Sequence, residues 1–130
     1  MKNRILVDTT IWIEFFRGRS RVGDRLETLL MDNFVCTCGM VMFEVLQGIK
    51  SEGEKSKILT LLAGLPYVEM TKALWQRAAV LSALLKKSGV SLPLSDIFIA
   101  TIAIENDLSV FTIDNHFAQI PNLKLHSPEK

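Results

Sequence analysis

The sequence predicts an α/β fold with a central parallel β-sheet of four to five strands and helices on both faces, and three observations predict it. The run Ile5-Leu6-Val7 is branched and apolar without a spacer, the mark of a strand buried on both faces. Short apolar runs alternate along the chain with segments of helical period, which implies right-handed crossovers between parallel strands. Acidic residues stand at the ends of such runs, where open α/β sheets bind ligands.

Each element follows from local signals. After Asp8, Trp12 and Phe16 are spaced four apart in a first helix over residues 10–16. Arg17-Gly18-Arg19-Ser20 breaks it, and Val22, Leu26, Leu29 and Leu30 mark a second helix from Arg21 to Met31. Asp32-Asn33 is a turn signal before a second buried strand, Phe34 to Thr37, which leads through Cys38-Gly39 into a helix from Met40 to Ile49. A further helix spans Ser51 to Leu65, stopped by Gly64 and Pro66, and Tyr67 to Met70 is a weaker third strand. Thr71 caps the longest helix, which ends at Lys86-Lys87 and Gly89. Ser95-Asp96 opens a very apolar helix to Asn106; Ser109 to Thr112 is the fourth strand. One helical turn at 115–118 and a short edge strand, Leu123 to Leu125, precede a polar tail expected to fray.

Composition narrows the class. A chain of 130 residues with 48% apolar content suits one domain over residues 1–130 with a proper core, and no apolar run is long enough to span a membrane. No charged-then-apolar leader precedes the first strand, so a soluble, cytoplasmic protein is expected. Cys36 and Cys38 have no His or further Cys at zinc spacing and are expected to be buried structural thiols.

Of 14 acidic residues, four lie inside otherwise apolar runs: Asp8 after Ile-Leu-Val, Glu44 in Met-Phe-Glu-Val-Leu, Asp96 in Leu-Ser-Asp-Ile-Phe and Asp114 in Phe-Thr-Ile-Asp. A carboxylate in such a setting is costly unless paired, hydrogen-bonded or bound to a cation. The topology places Asp8, Asp96 and Asp114 on one edge of the sheet, and Glu44, about six residues past the second strand, within roughly 10 Å of it at 1.5 Å per residue. Asp8, Asp96 and Asp114 also suit helix caps or turns. Glu44 sits mid-helix, where no orphan backbone donor needs it. Glu14, Glu105 and Asp107 border polar residues and are expected at the surface.

Four blocks, Val7 to Gly18 (Val-Asp-Thr-Thr-Ile-Trp-Ile-Glu-Phe-Phe-Arg-Gly), Glu44 to Gly48 (Glu-Val-Leu-Gln-Gly), Leu94 to Ala103 (Leu-Ser-Asp-Ile-Phe-Ile-Ala-Thr-Ile-Ala) and Phe111 to Phe117 (Phe-Thr-Ile-Asp-Asn-His-Phe), resemble the signature blocks of PIN-domain ribonucleases, in particular VapC toxins of bacterial toxin–antitoxin pairs. The resemblance spans nearly the whole chain in the right order. It implies an acidic quartet of Asp8, Glu44, Asp96 and Asp114, with Thr9 and Thr112 as supporting hydroxyls. It also implies homodimers and a small antitoxin whose basic side chain enters the acidic site.

Clustered hard carboxylate oxygens suit Mg²⁺ or Mn²⁺ and a phosphodiester substrate. Metal-assisted attack of water on phosphorus would leave a 5′ phosphate and a 3′ hydroxyl. Arg17, Arg19, Arg21 and Arg25 lie within nine residues and offer contacts to RNA or a partner; Lys50, Lys55 and Lys57 either do the same or form a solvated face. Trp12, Phe15 and Phe16 are expected in the core, and His116 and His126, both polar-flanked, are expected to be incidental. Haloacid dehalogenase-like phosphatases need an acid at the position of Thr10, and receiver domains need paired acids after the first strand. The remaining alternative is a non-catalytic RNA- or partner-binding domain on the same fold.

Overall fold

The computed structural model describes residues 4–127. In chain order the elements are β1 (Ile5–Val7), α1 (Thr9–Arg17), α2 (Arg21–Met31), β2 (Val35–Cys38), α3 (Gly39–Gln47), α4 (Glu52–Ala63), β3 (Tyr67–Val68), α5 (Lys72–Lys87), α6 (Leu94–Glu105), β4 (Ser109–Phe111), a 3₁₀ turn (Asn115–Gln119) and β5 (Lys124–Leu125). The strands form one parallel sheet in the order β3-β2-β1-β4-β5.

The order explains why the chain is built around Ile5-Leu6-Val7. β1 is central, with Leu6 paired to Cys36 on one side and to Val110 on the other. A strand with two strand neighbours and helices on both faces meets no water, and all three residues are buried. The chain winds outward from β1 through β2 to β3, then crosses back through α5 and α6 to β4 on the opposite side of β1. Right-handed crossovers in opposite directions put their helices on opposite faces. The winding reverses between β1 and β4, so a crevice opens there at the carboxyl ends of the two strands.

Helix ends set the strand entries. At the end of α5, Gly89 adopts φ +80°, and the N–H groups of Gly89 and Val90 donate to Lys86 and Leu85 carbonyls. Asn33 after α2 (φ 60°) and Asp107 after α6 (φ 57°) reproduce this turn with non-glycine residues, and each feeds the chain directly into β2 or β4. Ser20, Ser51 and Thr71 cap α2, α4 and α5 through side-chain oxygens.

The structure adjusts several expected boundaries. β2 runs one residue further, to Cys38, and β3 shrinks to Tyr67–Val68, because Glu69 is exposed and makes no ladder. α6 begins at Leu94 with Pro93 as its cap, which puts Asp96 in the first turn. The tail does not fray at once: the His126 N–H donates to the Val110 carbonyl at 2.8 Å, continuing the β5 pairing, while the expectation for residues 128–130 lies outside the described residues. Trp12 is fully buried with Phe15 and Phe16 packed around it. Cys36 and Cys38 are buried free thiols, and burial pushes the Cys36 thiol up to about 12. No helix among the described residues is long and apolar enough to cross a membrane.

Candidate metal centre

Asp8 is the first residue beyond β1 and the N-cap of α1, and it is 3% exposed. The hydroxyls of Thr10 and Thr112 each donate to its Oδ2 at 2.8 Å, and the Thr10 N–H approaches the same oxygen at 3.5 Å. No hydrogen bond among the described residues reaches Oδ1. The side-chain and backbone donors to Asp8 among the described residues thus all converge on one of its two carboxylate oxygens.

Thr112 also accepts from the Asp114 N–H at 2.9 Å, so one hydroxyl ties the end of β1 to the segment after β4. Asp114 caps the 3₁₀ turn by accepting from the His116 N–H at 2.9 Å. That turn folds the His116 ring back over the crevice, where Nδ1 lies 2.8 Å from Asp96 Oδ2 and 3.2 Å from Asp114 Oδ1. One potential ligand atom from each of Asp96, Asp114 and His116 falls within 4.8 Å of the others.

Asp96 is buried, and burial raises its carboxyl above the usual carboxylate range, opposed by the His116 hydrogen bond and reinforced by the charges of Asp114 and Asp8. His116 is raised in turn, chiefly by its hydrogen bond to Asp96. α1 and α6 also point their positive N-terminal ends toward Asp8 and Asp96.

Glu44 stands outside the tight cluster of Asp96, Asp114 and His116. It lies in the second turn of α3, and the Thr9 hydroxyl donates to its Oε1 at 2.8 Å. Thr9 and Asp8 are adjacent, so the N-terminus of α1 links both acids. Glu44 also lines a cleft of about 290 Å³ with Arg17, Glu54 and the apolar side chains of Ile13, Phe16, Val45, Ile49 and Ile58.

Of the basic elbow, Arg17 reaches this cleft while pairing with Glu14 at 3.4 Å, Arg19 pairs with Asp24 at 3.1 Å, and Arg21 is an exposed residue opening α2. Further along α2, the Arg25 Nε donates to His126 Nε2 at 3.3 Å. His126 packs edge-on against Phe111. His116 is the site residue that sequence reasoning missed. Its signal was the Asp-Asn-His spacing, in which a capping carboxylate turns the residue two positions on back toward the strand ends.

An open parallel sheet with carboxylates gathered at its switch point defines a class of α/β proteins whose donor set suits hard cations. The PIN domain family model matches residues 5–123. This chain belongs to the PIN domain family. It is similar to Ribonuclease VapC11 from Mycobacterium tuberculosis, with 27% identity over 131 residues covering 95% of this chain and 98% of the relative. In fold it is similar to VapBC from Salmonella typhimurium, solved bound to DNA (TM-score 0.82, 18% identity, 98% and 99% of the chains covered). It is likewise similar to VapBC2 from Rickettsia felis, bound to a DNA fragment from its promoter (TM-score 0.80, 23% identity, 94% and 96% covered).

Proposed function

We propose that this chain is a Mg²⁺- or Mn²⁺-dependent endoribonuclease that cuts single-stranded or loop RNA and acts in the cytoplasm as the toxin of a toxin–antitoxin pair. The observation that carries the reading is the convergence of Asp8, Asp96 and Asp114 on one crevice, with Glu44 joined to it through Thr9. The relatives named VapC ribonuclease and the VapBC complexes support it.

The donor set fits a hard divalent ion, because it is built from carboxylate oxygens and Asp8 leaves one oxygen unbonded. Asp8, Asp96 and Asp114, with Glu44, would hold it. When bound, such an ion lowers the pKa of a water for attack on phosphorus and offsets charge on the leaving oxygen. The chain's own residues prepare the site. Thr10 and Thr112 fix the rotation of Asp8, Thr9 fixes Glu44, and Arg17 on the shared cleft offers positive charge to a phosphate backbone. Arg19 and Arg21 extend that charge along the elbow toward RNA or a partner. A small antitoxin that offers a basic side chain to the acids would silence the site, and the apolar lining beside Glu44 suits the segment carrying it. A single PIN-like domain over residues 1–130 that pairs as a homodimer completes the proposal; exposed Val80 and Leu84, one turn apart on α5, offer apolar surface for pairing.

The test is cleavage of single-stranded RNA by the purified chain with Mg²⁺ or Mn²⁺, with product ends determined. Cleavage leaving 5′ phosphates, abolished by chelation and lowered at least about a hundredfold in folded Asp8→Asn and Glu44→Gln variants, supports the proposal. RNA binding without metal-dependent cleavage would identify a binding domain instead.

A further inference from the structure

The carboxylates account for a cation, yet the imidazole lodged among them has had no part in holding it. His116 Nδ1 is 2.8 Å from Asp96 Oδ2 and 3.2 Å from Asp114 Oδ1. In an octahedral site with bonds of ~2.1 Å, neighbouring ligand atoms lie ~3 Å apart, and the two observed separations straddle that value. Nδ1 is therefore spaced from both oxygens as a third donor on one face of a coordination shell. The ring is also placed for an ion to reach it: its side chain is 45% exposed, against 10% for Asp96 and 28% for Asp114. The backbone turn that presents it is fixed by the His116 N–H bond to Asp114.

We propose that His116 ligates the cation directly through Nδ1, making a mixed nitrogen and oxygen site that favours Mn²⁺ over Mg²⁺. The inference rests on the metal-dependent reading above. His116 ligates as the neutral imidazole, with its proton on Nε2 and the ion in place of the hydrogen bonded between Nδ1 and Asp96. Mg²⁺ dehydrates reluctantly and takes oxygen donors, whereas imidazole suits transition ions, so each nitrogen donor shifts preference away from Mg²⁺. Carboxylates alone suit both ions, so the added preference is what the nitrogen supplies. A tether that merely orients Asp96 by hydrogen bonding would leave the ratio of affinities untouched.

The experiment loads the metal-free, full-length protein with Mn²⁺ alone and records electron spin-echo envelope modulation, with calorimetric titrations of Mn²⁺ and Mg²⁺ alongside. The expected result is nitrogen coupling from a directly bound imidazole in the wild type, absent in His116→Asn. The same substitution should weaken Mn²⁺ binding roughly tenfold while changing Mg²⁺ binding far less. His116→Gln serves as a second variant, and the wild-type spectrum is decisive even if neither variant folds. Mn²⁺ bound at a site sensitive to Asp96→Asn but without nitrogen coupling would overturn this inference and leave the nuclease reading standing. Coupling that persists in a folded His116→Asn protein would also overturn it. Failure of Mn²⁺ to bind at any site sensitive to Asp8→Asn and Asp96→Asn would overturn both.

Discussion

Replacing Thr112 with valine keeps the shape of the side chain and removes one hydroxyl that has two short partners and the Thr10 hydroxyl at 3.4 Å. That hydroxyl donates to Asp8 Oδ2 at 2.8 Å and accepts the Asp114 N–H at 2.9 Å. A hydrogen bond to a charged group contributes about 1.5–3 kcal/mol and a neutral one about 0.5–1.5 kcal/mol. Their sum bounds the loss from above, for two reasons. Thr10 still donates to the same Asp8 oxygen at 2.8 Å, and Thr112 is only partly buried, so water can reach the orphaned Asp114 N–H. The expected destabilisation is about 2 kcal/mol, a large fraction of the ~5–15 kcal/mol typical of a domain. In a chain of this length it should lower Tm by roughly 6–10 °C. Urea unfolding and calorimetry of the metal-free protein measure it, with Thr112→Ser as the control that restores the hydroxyl and most of the stability. RNA cleavage by Thr112→Val should also fall, because Asp8 loses the contact that joins β1 to the segment after β4. A valine variant within about 0.5 kcal/mol of wild type, or a serine variant as unstable as the valine one, would show that this bridge is not what holds Asp8.

The same substitution has the opposite sign at Thr37: its hydroxyl is fully buried with no hydrogen-bond partner among the described residues, so Thr37→Val should raise stability by about 1 kcal/mol, measurable as a higher urea midpoint at unchanged m-value. Cys36 carries an alkaline prediction. Its thiol is raised from 9.0 to about 12 by burial first and by the Cys38 thiol second. A raised folded pKa gives stability that is complete below the unfolded value and lost as pH rises toward the folded one, so between pH 9 and 11 the wild type should lose up to ~1.4 kcal/mol per pH unit more than Cys36→Val. Equal slopes for the two proteins would refute the assignment. In the same range the native thiol should resist alkylation until the chain unfolds.

What could be read from the sequence, and what could not, divides by whether a residue contradicts its own neighbours. Ile5-Leu6-Val7 declares a strand buried on both sides because no half-exposed strand tolerates three apolar residues in a row. Asp8, Glu44, Asp96 and Asp114 are visible for the converse reason: each interrupts an apolar run, and the physics of burying a charge demands an explanation wherever it ends up. In the structure Asp96 and Asp114 bring ligand atoms within 4.8 Å of one another, Thr112 ties Asp8 to the segment carrying Asp114, and Glu44 accepts from Thr9, the neighbour of Asp8. His116 contradicts nothing locally. It lies between Asn115 and Phe117 and interrupts no apolar run, and its contact with Asp96 spans 20 residues of sequence. Arg25 and His126 meet across 101 residues, a contact that no local signal in either segment announces. β3 came out shorter than its sequence suggests for a related reason: strand length depends on what pairs alongside, and only Tyr67 and Val68 find partners in β2. Local composition thus reveals residues that cost energy where they sit. Residues whose roles come from a distant partner become visible only once the topology has brought the two together, and at this site the Asp114 turn brings His116 onto Asp96.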